Sequence, residues 1–280
     1  MSATRGRSRG GPPDDLLDAV DAYLDAAPRS SARAVDVAAF RVFVAEGSPW
    51  PFYARPRRDH PAPTADDVAS ALAYLRAHDL PESFEWVHER TPALGDLLAD
   101  AGLRVVLHPL LVAPDGVGRA DGGSVAGVAV RVLDADDPAL PAAQVVAELG
   151  FAAPGTGVGP AGPADRDARL AVRDPSADDH VRSRVASGLS VVAVVETDEG
   201  VVATGTHQPV GDASEIVGVA TLPSHRRRGL AGAVVAALAA DAVAHGVGLL
   251  LLSAGDDDVA RVYERVGFAR VGHAGAAEPG

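Results

Sequence analysis

The stretch Gly218 to Ala233, GVATLPSHRRRGLAGA, sets Arg226, Gly229 and Ala231 in the spacing Arg-x-x-Gly-x-Ala between an apolar run and a helical pattern. A helix start carries unpaired backbone N–H groups and a partial positive charge, so this spacing reads as a cradle for a diphosphate. Small residues at Gly229 and Ala231 let the diphosphate approach. The chain has no cysteine, which removes a thiolate nucleophile and thiolate metal ligands. No serine sits in a nucleophile elbow, and no histidine spacing marks a metal, so no metal is expected. The loop also lacks the Gly-Lys-Ser/Thr end of a P-loop and the two-glycine start of a Rossmann turn. The competing reading of Arg226, Arg227 and Arg228 is a generic anion or RNA patch.

The cradle needs elements to hold it. Ser214 to Thr221 reads as the strand that feeds it, after a hairpin of Ser190–Glu196 and Gly200–His207 around the turn residues Thr197 to Gly200. Behind it, Leu230, Val234, Leu238 and Ala242 recur at four-residue steps with no charge before Asp241, which predicts a helix buried along most of its length. Gly246 ends it, Leu249–Ser253 is a strand, Asp256–Val266 a helix stopped at Gly267, and Phe268–Gly272 a last short strand before a small-residue tail. Upstream, Val125–Leu133 reads as a strand, Ala139–Leu149 and Asp178–Ala186 as helices, and Pro154–Asp165 as a flexible loop.

In the first half, Asp15–Ala26 has the apolar spacing of an amphipathic helix, and Ala34–Val44 reads as one or two strands. SPWPFYARP is too rich in proline for a central strand and is expected to be a loop. Thr64 caps a helix running to Ala77, followed by a strand at Phe84–Val87, a helix at Pro92–Ala101 and a strand at Arg104–Val112. The glycine-rich stretch between Ala113 and Ser124 is the best boundary. The expected division is a tail at 1–13, an N-terminal unit at 14–113, a linker at 114–124 and a C-terminal unit at 125–280.

Composition bounds the partners. At 280 residues and 47% hydrophobic content the chain can bury a sizeable core. A net charge of −13 argues against a nucleic-acid binder, which needs a basic face, and mildly favours a cationic partner. No apolar run reaches the ~20 residues that span a bilayer, and the first residues lack the apolar core of a signal peptide. A reducing cytoplasm is the expected compartment.

The element order and three motifs together resemble the GCN5-related N-acetyltransferase superfamily over roughly residues 125–280. The motifs are Arg226-Arg227-Arg228-Gly229-Leu230-Ala231, the tyrosine helix and Gly-Phe of VARVYERVGF at Val259–Phe268, and Glu215 at the start of the cradle strand. Where the family often has an asparagine before the tyrosine helix, this chain has Asp256, which removes that auxiliary contact from what the resemblance implies. The resemblance implies a mixed α/β fold, a twisted central sheet flanked by helices, that binds acetyl-CoA as co-substrate. Val219, Ala220 and Thr221 would pair with the pantetheine arm. The amides of Arg226, Arg227, Arg228, Gly229, Leu230, Ala231 and Gly232 would hold the pyrophosphate.

Direct acetyl transfer to a primary amine needs a group that takes a proton from an ammonium of pKa ~10. Glu215 is the candidate base, against an ordinary solvent-facing strand glutamate; His207 is a second candidate, against a satisfied structural histidine. Tyr263 is placed to stabilise or protonate the departing thiolate, against a tyrosine packed in the core. The acceptor would be a small-molecule or peptide amine, and a homodimer is a further expectation. A catalytically silent acyl-CoA-binding protein is the competing class.

Phe84–His108 repeats the rhythm of Leu249–His273, with Gly102 aligned to Gly267 and Leu98 to Tyr263, but no arginine-glycine loop precedes its helix. The first half therefore reads as a degenerate copy of the acetyltransferase unit, with an unrelated α/β cap as the alternative. Trp50, Tyr53 and Trp86 are candidates for the acceptor wall or for the core.

Overall fold

The structure, a computed structural model, describes residues 14–47, 52–113, 128–153 and 155–280. Helix α1 (Asp14–Ala26) leads to β1 (Ala32–Val37), β2 (Phe40–Ala45), β3 (Ala54–Pro56), α2 (Ala65–Ala77), β4 (Phe84–Val87), α3 (Leu94–Asp100) and β5 (Leu103–Ala113). The second half runs β6 (Ala129–Leu133), α4 (Leu140–Phe151), α5 (Pro163–Ala171), α6 (Asp179–Ala186), β7 (Val191–Thr197), β8 (Gly200–Val210) and β9 (Ala213–Thr221). It ends with α7 (Leu230–Ala244), β10 (Leu249–Ser253), α8 (Asp257–Arg265) and β11 (Ala269–Pro279). Among the described residues one mixed sheet of eleven strands has the order β1-β2-β3-β4-β11-β5-β10-β9-β8-β7-β6.

Local chemistry explains most of these elements. Thr64 and Asp67 form a reciprocal capping box at α2: Thr64 Oγ1 accepts from the Asp67 amide, and the Asp67 carboxylate accepts from the Thr64 amide at 2.9 Å. In α7, Leu230, Val234, Val235, Leu238 and Ala242 are buried against the C-terminal sheet. The apolar stripe of α1 lays Leu17, Val20 and Tyr23 on Val87, Leu110, Val112, Ala213 and Leu251, so one helix covers the joint between the two halves.

The halves exchange strands. β5 pairs with β10 of the second half, and β11 pairs with both β4 and β5. Gly102 and Gly267 both take left-handed φ, at 91° and 101°, where only glycine is unstrained. Counting on equally from each, His108 matches His273 and Pro109 matches Ala274. His108 pairs with Ala274, and Pro109 with His273. Those two pairs interchange under a local two-fold axis between them, the relation that a duplicated strand–helix–strand unit produces.

Three sequence expectations change. The end of SPWPFYARP is strand β3, antiparallel to β2 and parallel to β4, with Pro56 at its last position where a missing N–H is tolerated. The expected loop Pro154–Asp165 ends inside helix α5, whose one large apolar side chain is Leu170 and which is anchored by Arg166. That buried guanidinium donates to the carbonyls of Val201 at 2.5 Å and Glu199 at 2.7 Å. The small-residue tail is not a tail: β11 runs on to Pro279. The linker residues 114–124 and Trp50 lie outside the described residues.

At Gly275 strand β11 has no room for a side chain. A Cβ there would sit 2.2 Å from Trp86 Cε2. Gly275→Ala is therefore expected to destabilise the fold by about 1–3 kcal/mol through overpacking, lowering Tm by roughly 2–4 °C per kcal/mol. Gly157→Ala, with no atom within 4 Å of its Cβ, is the control. Equal melting of the two variants in calorimetry would show that the tail does not dock over Trp86.

Candidate active site

β9 and β10 are parallel and stay paired only at Ala213–Leu249, Ser214–Leu250 and Glu215–Leu251. Beyond Glu215, β9 continues to Thr221 without β10, so one edge of its backbone faces a gap. On its other edge β9 bulges: Thr204 pairs with Ala220 and Thr206 with Val217, leaving Gly218 and Val219 opposite Gly205. Gly218 takes φ 65°, and Gly205 lets α7 approach, since a Cβ there would be 2.7 Å from Val234 Cγ1. The gap opens into a cleft of about 780 Å³, with Val219, Ala220 and Thr221 on one wall and α8 on the other.

One end of the cleft is the start of α7. Gly229, at φ 80°, precedes the helix without any side-chain cap, so the first amides of α7 keep their hydrogen-bonding capacity. Arg227, Gly229, Leu230, Ala231 and Gly232 line this end. Arg227 holds φ 66° without being glycine, a strained turn that the surrounding structure imposes. Arg226 lines it too, but its guanidinium is engaged elsewhere: it donates to the carbonyls of Gly150 and Ala153 at 2.7 Å each and Gly157 at 3.2 Å. It thus satisfies carbonyls at the α4 C-terminus and ties the following loop to the cradle. Arg228 is exposed and outside the cleft lining.

Tyr263, on α8, lines the cleft; it is 7% exposed, and its hydroxyl takes no hydrogen bond from or to the described residues. Burial pushes its pKa up to about 12, so the phenol stays protonated across the neutral range. Asp256 caps α8 by accepting from the Val259 amide at 2.8 Å, and also lines the cleft.

Glu215 stands at the last paired position, one residue before the cleft wall begins at Ile216. Register with Leu251 puts it on the face covered by α1, across the sheet from Tyr263, which packs with the α7 core. Burial raises its pKa to about 8; the charge of Glu85 adds to the rise and Arg55 opposes it.

His207 does not join this group. It is 1% exposed and both ring nitrogens are engaged: Nε2 lies 3.0 Å from Asp241 Oδ2 on α7, and Nδ1 2.8 Å from Ser214 Oγ. With one ring nitrogen at Asp241 and the other at the Ser214 hydroxyl, all three groups have partners. Ser214 and Glu215 point to opposite faces of β9, which puts His207 on the face away from Glu215. Trp86 is core, 2% exposed, whereas Tyr53 is half-buried near Glu215. Sequence reasoning missed Glu85 and Phe151, the latter 64% exposed at the cleft rim. The signal for Glu85 was a lone charge inside the apolar run FEWV.

Among the described residues no cluster of three or more His, Asp or Glu is arranged to hold a metal, and no helix is long and apolar enough to cross a membrane.

Residues 191–274 match the family described as FR47-like protein, a segment that contains β9, the cradle, and Tyr263. No curated protein matches the chain. Among solved structures, a GCN5-related N-acetyltransferase from Kribbella flavida is 24% identical, with 94% of this chain and 96% of that chain covered and a TM-score of 0.67. A GCN5-related N-acetyltransferase-like protein from Streptococcus suis 89/1591 is 14% identical over 94% and 98%, with a TM-score of 0.53. A tandem GNAT protein from the clavulanic acid biosynthesis pathway is 17% identical over 97% and 90%, with a TM-score of 0.50. The chain thus has the fold of the GCN5-related N-acetyltransferases, with an FR47-like segment carrying its cleft.

Proposed function

We infer that this protein is an N-acetyltransferase that uses acetyl-CoA and transfers the acetyl group directly to a primary amine. The observation that carries the reading is the divergence of β9 from β10 after three pairs, between an uncapped helix start at one end and Tyr263 at the other. The residues suit the donor. The unpaired edge of β9 from Ile216 to Thr221 offers alternating N–H and C=O groups to an amide-containing arm, and the first amides of α7 suit a diphosphate. The donor would supply an activated thioester. Glu215 would take the proton from the amine, and the Tyr263 hydroxyl would donate a hydrogen bond to the departing thiolate.

The acidities of phenol and thiol favour stabilising over protonating. A thiol has a pKa near ~8.5, so full proton transfer from a phenol held at about 12 would be uphill. Hydrogen bonding requires no such transfer.

At a concentration a hundred times its Kd, acetyl-CoA is expected to stabilise the fold by about 2.7 kcal/mol, whereas ATP and NAD leave Tm unchanged. No shift with acetyl-CoA would end the reading. A shift without thiol release across a panel of amines, amino acids and peptide N-termini would favour a silent acyl-CoA binder.

A further inference from the structure

Glu85 has no part in holding the donor, yet its position is unusual. It interrupts the apolar strand β4 in the interior of the eleven-stranded sheet, between β3 and β11, and is exposed to solvent. Its neighbours fix its direction. Phe84 and Trp86 pack on the side of α2 and α3, while Val87 packs under α1, so Glu85 stands on the α1 face. Glu215 stands on that same face. Among the described residues neither side chain accepts a hydrogen bond or forms an ion pair.

The groups around them form a partly satisfied box. Ala54 packs with the α2 side, which turns its neighbour Arg55 to the α1 face. Arg55 is wholly buried and paired through one Nη with Asp21 of α1, and its charge acts on both glutamates. Its Nε–H is buried without an acceptor. The Arg55 charge is already shared with Asp21, which Arg58 also approaches at 3.4 Å, so the two glutamates are not neutralised by it. Tyr53 and Tyr23 stand beside Glu215, and the Tyr23 hydroxyl donates to the Gln208 carbonyl at 2.7 Å. Arg184 is near enough to Tyr23 to act on it.

We propose that Glu85, contributed by the first half of the chain, binds a second ammonium on the acceptor, so that the enzyme selects small aliphatic diamines over monoamines. The proposal rests on the transfer reading and adds the class of its acceptor. One carboxylate must be left free to take the proton of the reacting amine. The other, on the same face and with no ion-pair partner among the described residues, is then free to pair with a ligand cation. The net charge of −13 draws such a ligand toward the protein. It also gives the first half of the chain a direct role: it lends a side chain to a site whose donor cleft lies wholly in the second.

The test is calorimetric titration of the full chain with 1,3-diaminopropane and with propylamine, each with and without coenzyme A. The diamine is expected to bind at least about tenfold tighter, a difference of ~1.4 kcal/mol. Glu85→Gln is expected to erase that preference and Glu85→Asp to restore part of it. In both variants coenzyme A affinity, measured in the same cell, should hold and so report an intact fold. Because Glu85 raises the pKa of Glu215, Glu85→Gln should also shift the acid limb of the rate profile to lower pH. Equal affinities for the two amines, or a preference that survives Glu85→Gln, would overturn the proposal. Diamine binding without coenzyme A binding would instead sink the transfer reading and leave the subsite standing.

Discussion

Glu215→Gln is expected to lower kcat/KM for the acceptor at pH 8 by about 100-fold or more, the usual contribution of a positioned general base. An ordinary carboxylate is a poor base for an ammonium of pKa ~10. Here burial first, and the Glu85 charge second, lift Glu215 from 4.5 to about 8, against the opposing Arg55, which brings it much closer to its task. In the wild type, kcat/KM should therefore rise as pH climbs through about 8, because only the ionised form accepts a proton. The glutamine variant should lose that limb. Stability gives an independent readout of the same shift. A carboxyl whose folded pKa lies above its unfolded value contributes stability that is present at low pH and lost as pH rises through about 8. The Tm of Glu215→Gln relative to wild type should thus increase between pH 5 and pH 9. Undiminished activity at pH 8 would take Glu215 out of the chemistry; a relative Tm that does not change with pH would show that its pKa is not raised.

Tyr263→Phe is expected to slow kcat roughly 10- to 150-fold, the equivalent of the ~1.5–3 kcal/mol that a hydrogen bond to a charged group contributes. Acetyl-CoA binding should change little, since a neutral thioester sulfur gains much less from the phenol than a thiolate does. The phenol, held at about 12, stabilises charge without giving up its proton. Raising pH from 7 to 10 should leave the Tyr263-dependent part of the rate unaltered. Single-turnover measurement of thiol release separates this step from binding. A variant as fast as wild type would assign Tyr263 to packing alone, consistent with its place among the buried residues of the α7 core.

The cradle was legible because its determinants are local. The turn before α7 requires a left-handed residue, which Gly229 supplies, and an uncapped helix start needs no distant partner. For the same reason the strand at Leu249–Ser253 and the Thr64 cap could be placed from neighbouring residues alone. His207 shows the limit. Its position at the end of a strand near Glu215 made it a candidate base, yet which face it occupies depends on Asp241, far along the chain on α7. Helix α5 was missed because a buried arginine bonded to two carbonyls of another segment, rather than an apolar stripe, holds it in place. The Arg226 guanidinium clamps the α4 C-terminus, a partner with no marked pattern in the sequence.

By itself the sequence determined that two similar strand–helix–strand units exist, each turned by a glycine, at Gly102 and Gly267, and that only the second carries an arginine-glycine loop and a tyrosine. Glycine conformation and apolar periodicity are properties of a few adjacent residues, so they could be read without a fold. Only the tertiary structure decided that the two units exchange their last strands, that a tail of small residues is β11 with Trp86 in the space a side chain at Gly275 would need, and that Glu85 of one half shares a face with Glu215 of the other. Sheet pairing and the charge environment of a carboxyl arise between segments distant in the chain, and no pattern within either segment specifies the other.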